Sequence, residues 1–279
     1  MNYTPQNPLM KEASSAAPTL PEAFLQPLVA EIDSDEVTAI VLGGSYARGE
    51  ATPYSDVDFL RLVREESQRQ PKRYFYRSGY LISVPTRTIA FYQQSIARPE
   101  TAIWVVPSMR ECRILLDKEG AFAAFQQSLA AFAWEALQEQ ANAYASGRLL
   151  LFTEYVHKVL SILPGRNELA LAYAIQELLY VLTEALAVQR GVLIQRGNDY
   201  YAQVQEVAGL DSAWTRYHRM ALGLDPLPEH LSPIEARGIA ALGLYQETVR
   251  LLREALHPQE REVIEQAVQI IEQAHLPTL

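Results

Sequence analysis

The hydrophobic positions change their spacing near residue 120. Before it, apolar residues come in short runs rich in β-branched and aromatic side chains, bounded by Gly, Pro, Asp and Ser. "EVTAIVLGG" (36–44) predicts a largely buried strand ended by two glycines, and "DVDFLRLV" (56–63) predicts a second. Alternation in that second strand puts Asp56, Asp58 and Leu60 on one face and Val57, Phe59 and Arg61 on the other. "RYFYRSGYLISVPTRTI" predicts a strand pair turning at Ser78 and Gly79, and "ECRILLDKEG" a short last strand running into a helix capped by Asp117. Upstream, "PEAFLQPLVAEI" predicts a helix with Pro21 in its first turn and Pro27 as a bend or early stop.

From Ala121 onward the spacing is helical almost throughout, over segments near 121–145, 147–163, 167–190, 211–222, 232–256 and 258–274. Strands first and helices after imply an α+β protein: a small mixed-sheet domain over 19–120 followed by an all-helical bundle over 121–279. Residues 1–18, polar with scattered Pro, Ala and Ser, are expected to be a loosely ordered lead-in. No internal repeat is evident, and "QEREVIEQAVQIIEQ" is too short for a coiled coil.

Composition narrows the partners. The net charge of −9 disfavours non-specific nucleic-acid binding, which needs a concentrated basic surface, and suits cationic small molecules better. The single cysteine, Cys112, excludes an intramolecular disulfide and a Cys-rich zinc site, and is expected in the core. Without a secretory pattern at the N-terminus or about 18 consecutive apolar residues, a cytoplasmic protein with no membrane partner is expected.

The chemistry concentrates in "GGSYARGEATPYSDVDFL" (43–60). Gly43 and Gly44 allow close approach of the backbone to a ligand, and Ser45 and Arg48 add a hydroxyl and a guanidinium, together a phosphate cradle. Asp56 and Asp58 present two carboxylates side by side, which repel unless a cation lies between them. Mg²⁺ binds through one or two carboxylates plus substrate phosphates, so the two halves together predict a metal–nucleotide site. The plainer alternative is a surface turn followed by a solvated strand edge.

This stretch resembles the glycine-serine and Asp-x-Asp signature of the nucleotidyltransferase superfamily that includes DNA polymerase β. The resemblance implies that Gly44 and Ser45 meet the triphosphate, Arg48 neutralises it, and Asp56 and Asp58 hold Mg²⁺. "TPYSDVD", "RILLDKEGAF" and "LALAYAIQELL" are similar to parts of the kanamycin nucleotidyltransferase type. That type implies transfer of NMP, AMP by preference, from an NTP to a hydroxyl of a small aminoglycoside-like molecule, in a homodimer. "EYVHK" resembles the family's Glu-Tyr-x-x-Lys segment, which makes Glu154 the general base and Lys158 a phosphate contact; an ordinary surface ion pair is the alternative. The family's third carboxylate has no counterpart: there is no Asp or Glu from Ser67 to Pro99, and Ser83 stands near the expected place. A nucleotide-binding protein that turns over slowly or not at all is therefore the alternative function.

The five histidines show no ligand-like spacing, no Gly-x-Ser-x-Gly elbow occurs, and the glycine turn lacks a Walker lysine. In "RGNDYY", Arg196 or Asp199 could reach a substrate, but Asn198 or Asp199 as the cap of the following helix is the better reading.

Overall fold

The computed structural model describes residues 19–65, 73–165 and 167–279, and the expected lead-in at 1–18 lies outside them. The first elements are α1 (Glu22–Ile32), β1 (Val37–Leu42), α2 (Gly44–Arg48), β2 (Val57–Val63), β3 (Tyr74–Arg77), β4 (Tyr80–Ser83) and β5 (Thr86–Arg87). Then come α3 (Ile89–Ile96), α4 (Pro99–Glu111), β6 (Arg113–Asp117) and α5 (Ala121–Ser128). The rest is helical: α6 (Gln138–Leu151), α7 (Thr153–Ile162), α8 (Glu168–Gln189), α9 (Tyr200–Ala208), α10 (Ala213–Leu222), α11 (Pro233–Leu252) and α12 (Pro258–Gln273). The fold is α+β, as the spacing of apolar residues implies. Two compact units divide it: residues up to Gln94 with Ser108–Phe132, and Ser95–Pro107 with Ala133–Leu279.

In the first unit the sheet order is β3-β4-β2-β1-β6, with β5 pairing β2. β1 is antiparallel to β2 and β6, while β2 runs parallel to β4, so the sheet is mixed. All six residues of β1 are buried, which explains why its sequence is a continuous apolar run rather than an alternating one. Leu25, Leu28 and Ile32 of α1 pack on one face against Ile40, Leu42, Val57, Phe59 and Ile82. Pro27 sits inside α1 without ending it.

The buried Arg61, on the same face as Val57 and Phe59, donates to the Ile32 carbonyl at 2.9 Å and to Ser34 Oγ at 2.9 Å, so a charged side chain closes the C-terminus of α1. The hairpin turns at Ser78 and Gly79, both with positive φ (51° and 85°), as a tight two-residue connection requires. Gly120, not Asp117, is the N-cap of α5, but Asp117 Oδ2 accepts from the Ala123 N–H at 2.9 Å and satisfies that helix start from upstream.

The second unit is built around α8, whose buried face runs from Leu171 through Leu178 and Leu182 to Val188. α8 is long and apolar enough to cross a membrane, but 67% of its apolar stretch is buried, as in the core helix of a helical bundle. Asn167 caps it by accepting from the Ala170 N–H at 3.2 Å. Ser232 and Glu235 form a reciprocal capping box on α11.

Several expected boundaries are corrected. The segment expected over 121–145 breaks at Phe132 and Ala133, both extended, where the chain passes from the first unit to the second. The ring of Trp134 is pressed so close to Gly191 that a Cβ there would fall 2.5 Å from it, a long-range anchor that local spacing does not show. α6 runs through Gly147 to Leu151, and α9 is the helix expected to follow Asp199, although no helical segment was delimited there. Asp199 precedes α9 but does not cap it with its side chain, which pairs with Arg196 at 3.1 Å instead. α3 and α4 arise in a stretch for which no helix was expected, and Pro107 lies inside α4 without ending it.

Candidate functional site

β1 ends at Leu42, and the backbone reverses through Gly43 into α2 while β2 carries Asp58 alongside. The Gly43 N–H donates to the Asp58 carbonyl at 2.8 Å, which fixes the turn against the strand. Gly44 has φ +61°, and a Cβ there would stand 2.3 Å from Asp58 Oδ2. The second glycine is therefore required twice over, by its backbone conformation and by the carboxylate that fills the space beside it. This close approach joins the two halves of the motif, Gly44–Arg48 and Asp56–Asp58.

Burial first, and the Asp56 carboxylate second, push Asp58 up to about 6, while Arg48 opposes them. A half-buried carboxylate beside another of like charge is stabilised in its ionised form by an added cation. The residues present thus fit a hard divalent ion held by two carboxylates, the rest of its shell coming from phosphates and water. Among the described residues no group of three or more His, Cys, Asp or Glu side chains gathers to hold a metal. In the β2–β4 register Ser83, not a carboxylate, stands beside Asp58, and Ser83 is buried.

Arg48, expected to face phosphate, pairs with Glu50 at 2.8 Å and Glu111 at 3.3 Å. Glu50 lies two residues away and was readable as a partner; Glu111, from the end of α4, comes from a distant part of the chain and was not. Cys112 is buried as expected, its Sγ 3.6 Å from where a Gly43 Cβ would lie, and burial foremost pushes its thiol up to about 12. It packs beneath the turn as a neutral thiol and donates to the Ser108 carbonyl at 3.3 Å. Tyr46 follows Ser45 in α2 and packs edge-on to Tyr80 at 6.1 Å, tying the turn to the hairpin.

Glu154 and Lys158 lie one turn apart on α7 in the helical unit and pair with each other at 2.8 Å, both substantially exposed. The Lys158 ammonium also sits 4.1 Å from the Tyr155 ring centroid.

Residues 27–114 match the family model of the nucleotidyltransferase domain, a span that contains the glycine turn, both aspartates, the hairpin and Ser83. A solved nucleotidyltransferase-like protein from Exiguobacterium sibiricum 255-15 is similar at 12% identity over 89% of this chain and 87% of that one, with a TM-score of 0.46, too distant to inform the site. No curated protein matches the chain.

Proposed function

We propose that the chain is a Mg²⁺-dependent nucleotidyltransferase that moves NMP, AMP by preference, from an NTP to a hydroxyl of a small molecule. The observation that carries this reading is the seating of Gly44 against Asp58, which brings the glycine turn and an aspartate carboxylate together within the span that matches the nucleotidyltransferase domain. Asp56 and Asp58 would hold the ion, whose chemistry is to neutralise the triphosphate and stabilise charge on the leaving oxygen.

The turn residues Gly44 and Ser45 would bind the β- and γ-phosphates by their amides and the serine hydroxyl, and Arg48 would reach them by exchanging its carboxylate partners for phosphate. In the reaction the acceptor oxygen bonds to the α-phosphorus, the bond from that phosphorus to the bridging oxygen breaks, and pyrophosphate departs. The hydroxyl proton passes to a base, the role assigned to Glu154, with Lys158 contacting phosphate. Aminoglycosides, the acceptors of the type that the sequence resembles, belong in the acceptor panel beside uncharged and anionic ring compounds, and a homodimer is the assembly to look for.

A second reading is favoured by one position. Ser83 stands in register with Asp58 where a third acid would bind a nucleophile-side metal, and a hydroxyl is the poorer ligand. On this reading the protein binds Mg²⁺–nucleotide without turnover. Incubation with Mg²⁺, labelled ATP and a panel of hydroxyl acceptors separates the two. Acceptor-dependent pyrophosphate release supports transfer; nucleotide binding without release over the whole panel supports the second reading.

A further inference from the structure

Asp58 is the middle of a row across the sheet. On one side of β2 lies β1, which leads into the Gly43–Arg48 turn; on the other lie β4 and then β3. Asp58 is in register with Ser83, and Ser83 with Tyr74, so the three share one face, and Tyr76 joins that face two residues along. The opposite face, carrying Phe75 and Ile82, is packed beneath α1. Tyr74 and Tyr76 are 54% and 76% exposed, so two large rings stand open to solvent on this face. The Arg73 guanidinium lies 5.5 Å from the Tyr74 ring centroid. Arg77, which shares the Phe75 face, is neutralised by Glu31. No carboxylate occurs anywhere from Ser67 to Pro99, in a chain whose net charge is −9.

We propose that this face of the β3–β4 hairpin is the acceptor subsite, where Tyr74 and Tyr76 stack a ring of an uncharged or anionic hydroxyl compound beside Ser83. The inference rests on the reading that the Gly43–Arg48 turn holds the triphosphate. In an in-line displacement the attacking oxygen approaches opposite the departing pyrophosphate. With the phosphates on the β1 side of Asp58, the acceptor approaches over β4 and β3. Strands about 4.8 Å apart put the Tyr74 Cα about 10 Å from that of Asp58, the reach of one sugar or nucleoside ring whose hydroxyl points at the α-phosphorus. Exposed tyrosines bind the faces of sugar and aromatic rings, and the hairpin itself offers an arginine and no carboxylate, the acids of this row being Asp58 and its neighbour Asp56, which the bound ion would neutralise.

The test loads the full-length protein with Mg²⁺ and a non-hydrolysable ATP analogue, then titrates three probes: uridine monophosphate (anionic ring), salicin (neutral aryl glucoside) and kanamycin (polycation). The wild type is expected to bind the first two, and Tyr74→Ala/Tyr76→Ala to bind them about 10-fold or more weakly, the loss expected of an unstacked ring. The Tyr74→Phe/Tyr76→Phe variant should retain them, and affinity for the ATP analogue should stay within about 2-fold in every variant. Equal ring affinity in the alanine variant, binding of kanamycin alone, or no binding of any probe overturns the proposal. An equal loss of the ATP analogue would place the donor's base on the tyrosines and overturn it too. Failure of the wild type to take up the Mg²⁺–ATP analogue, seen before any probe is added, removes the nucleotide reading and this proposal with it.

Discussion

Replacing Gly44 by Ala tests whether the glycine turn and Asp58 act as one device. Two costs arise at once. The backbone φ of +61° is strained for any residue with a Cβ, by about 1 to 2 kcal/mol. The new methyl would also stand 2.3 Å from Asp58 Oδ2, so the carboxylate must retreat by about 1 Å to reach ordinary contact. A metal site tolerates about 0.2 Å in its ligand distances, so a shift of that size takes Asp58 out of the ion's shell.

Gly49 supplies the control, since it has φ +71° but nothing within 4 Å of a Cβ. Gly49→Ala therefore carries the backbone strain without the clash. Both variants should lose a few degrees in melting temperature, at about 2 to 4 °C per kcal/mol for a chain of this class. In calorimetric titration with Mg²⁺ and a non-hydrolysable ATP analogue, Gly49→Ala should bind within about 3-fold of wild type, and Gly44→Ala should lose about 10-fold or more. Equal affinities in the two variants would refute the argument that Gly44 exists to make room for Asp58.

Acid should destabilise the helical unit through His218. This ring is fully buried, stacked on Trp214 at 4.8 Å and hydrogen-bonded to Thr183 Oγ1 and Gln205 Nε2, and burial holds it down at about 4 against an ordinary 6.5. Above pH 6.5 both folded and unfolded states are neutral; between 6.5 and 4 only the unfolded state takes the proton, so about 3 kcal/mol of stability is lost over that window. Urea melts of His218→Gln should show a pH dependence shallower by that amount, and an unchanged slope would contradict it. Glu154→Gln should lower pyrophosphate release about 100-fold in the presence of a working acceptor, the usual scale for a lost general base, with ATP affinity retained. Because the Glu154–Lys158 pair is exposed, the same change should move stability by less than about 1 kcal/mol in thermal melts.

The strands were readable in the sequence because each was either a β-branched run or an alternating one, and the Ser78–Gly79 turn because only residues tolerant of positive φ fit it. The closeness of Gly44 to Asp58 was implied by the motif but not derivable from it, since the hydrogen bond from Gly43 to the Asp58 carbonyl depends on strand register. Glu111 pairs with Arg48 across a long chain separation, and no local pattern announces such a partner. The break before Trp134 likewise has no Gly or Pro to announce it, and the ring that follows it lies against a distant glycine. Tyr74 and Tyr76 read as ordinary strand residues until the sheet order put them on the face of Asp58. Ser83 was the reverse case: the family resemblance marked its place by the acid it lacks, and the register set it beside the aspartate.

In the proposed function, Asp56 and Asp58 hold a divalent ion together with the phosphates bound by the Gly43–Arg48 turn. Mn²⁺ in place of Mg²⁺ makes that ion visible by its enhancement of water-proton relaxation, titrated with and without a non-hydrolysable ATP analogue. Nucleotide-dependent enhancement is expected in the wild-type protein, and its loss in the Asp56→Asn/Asp58→Asn variant, whose melting temperature should not fall. The same enhancement in both proteins would contradict it.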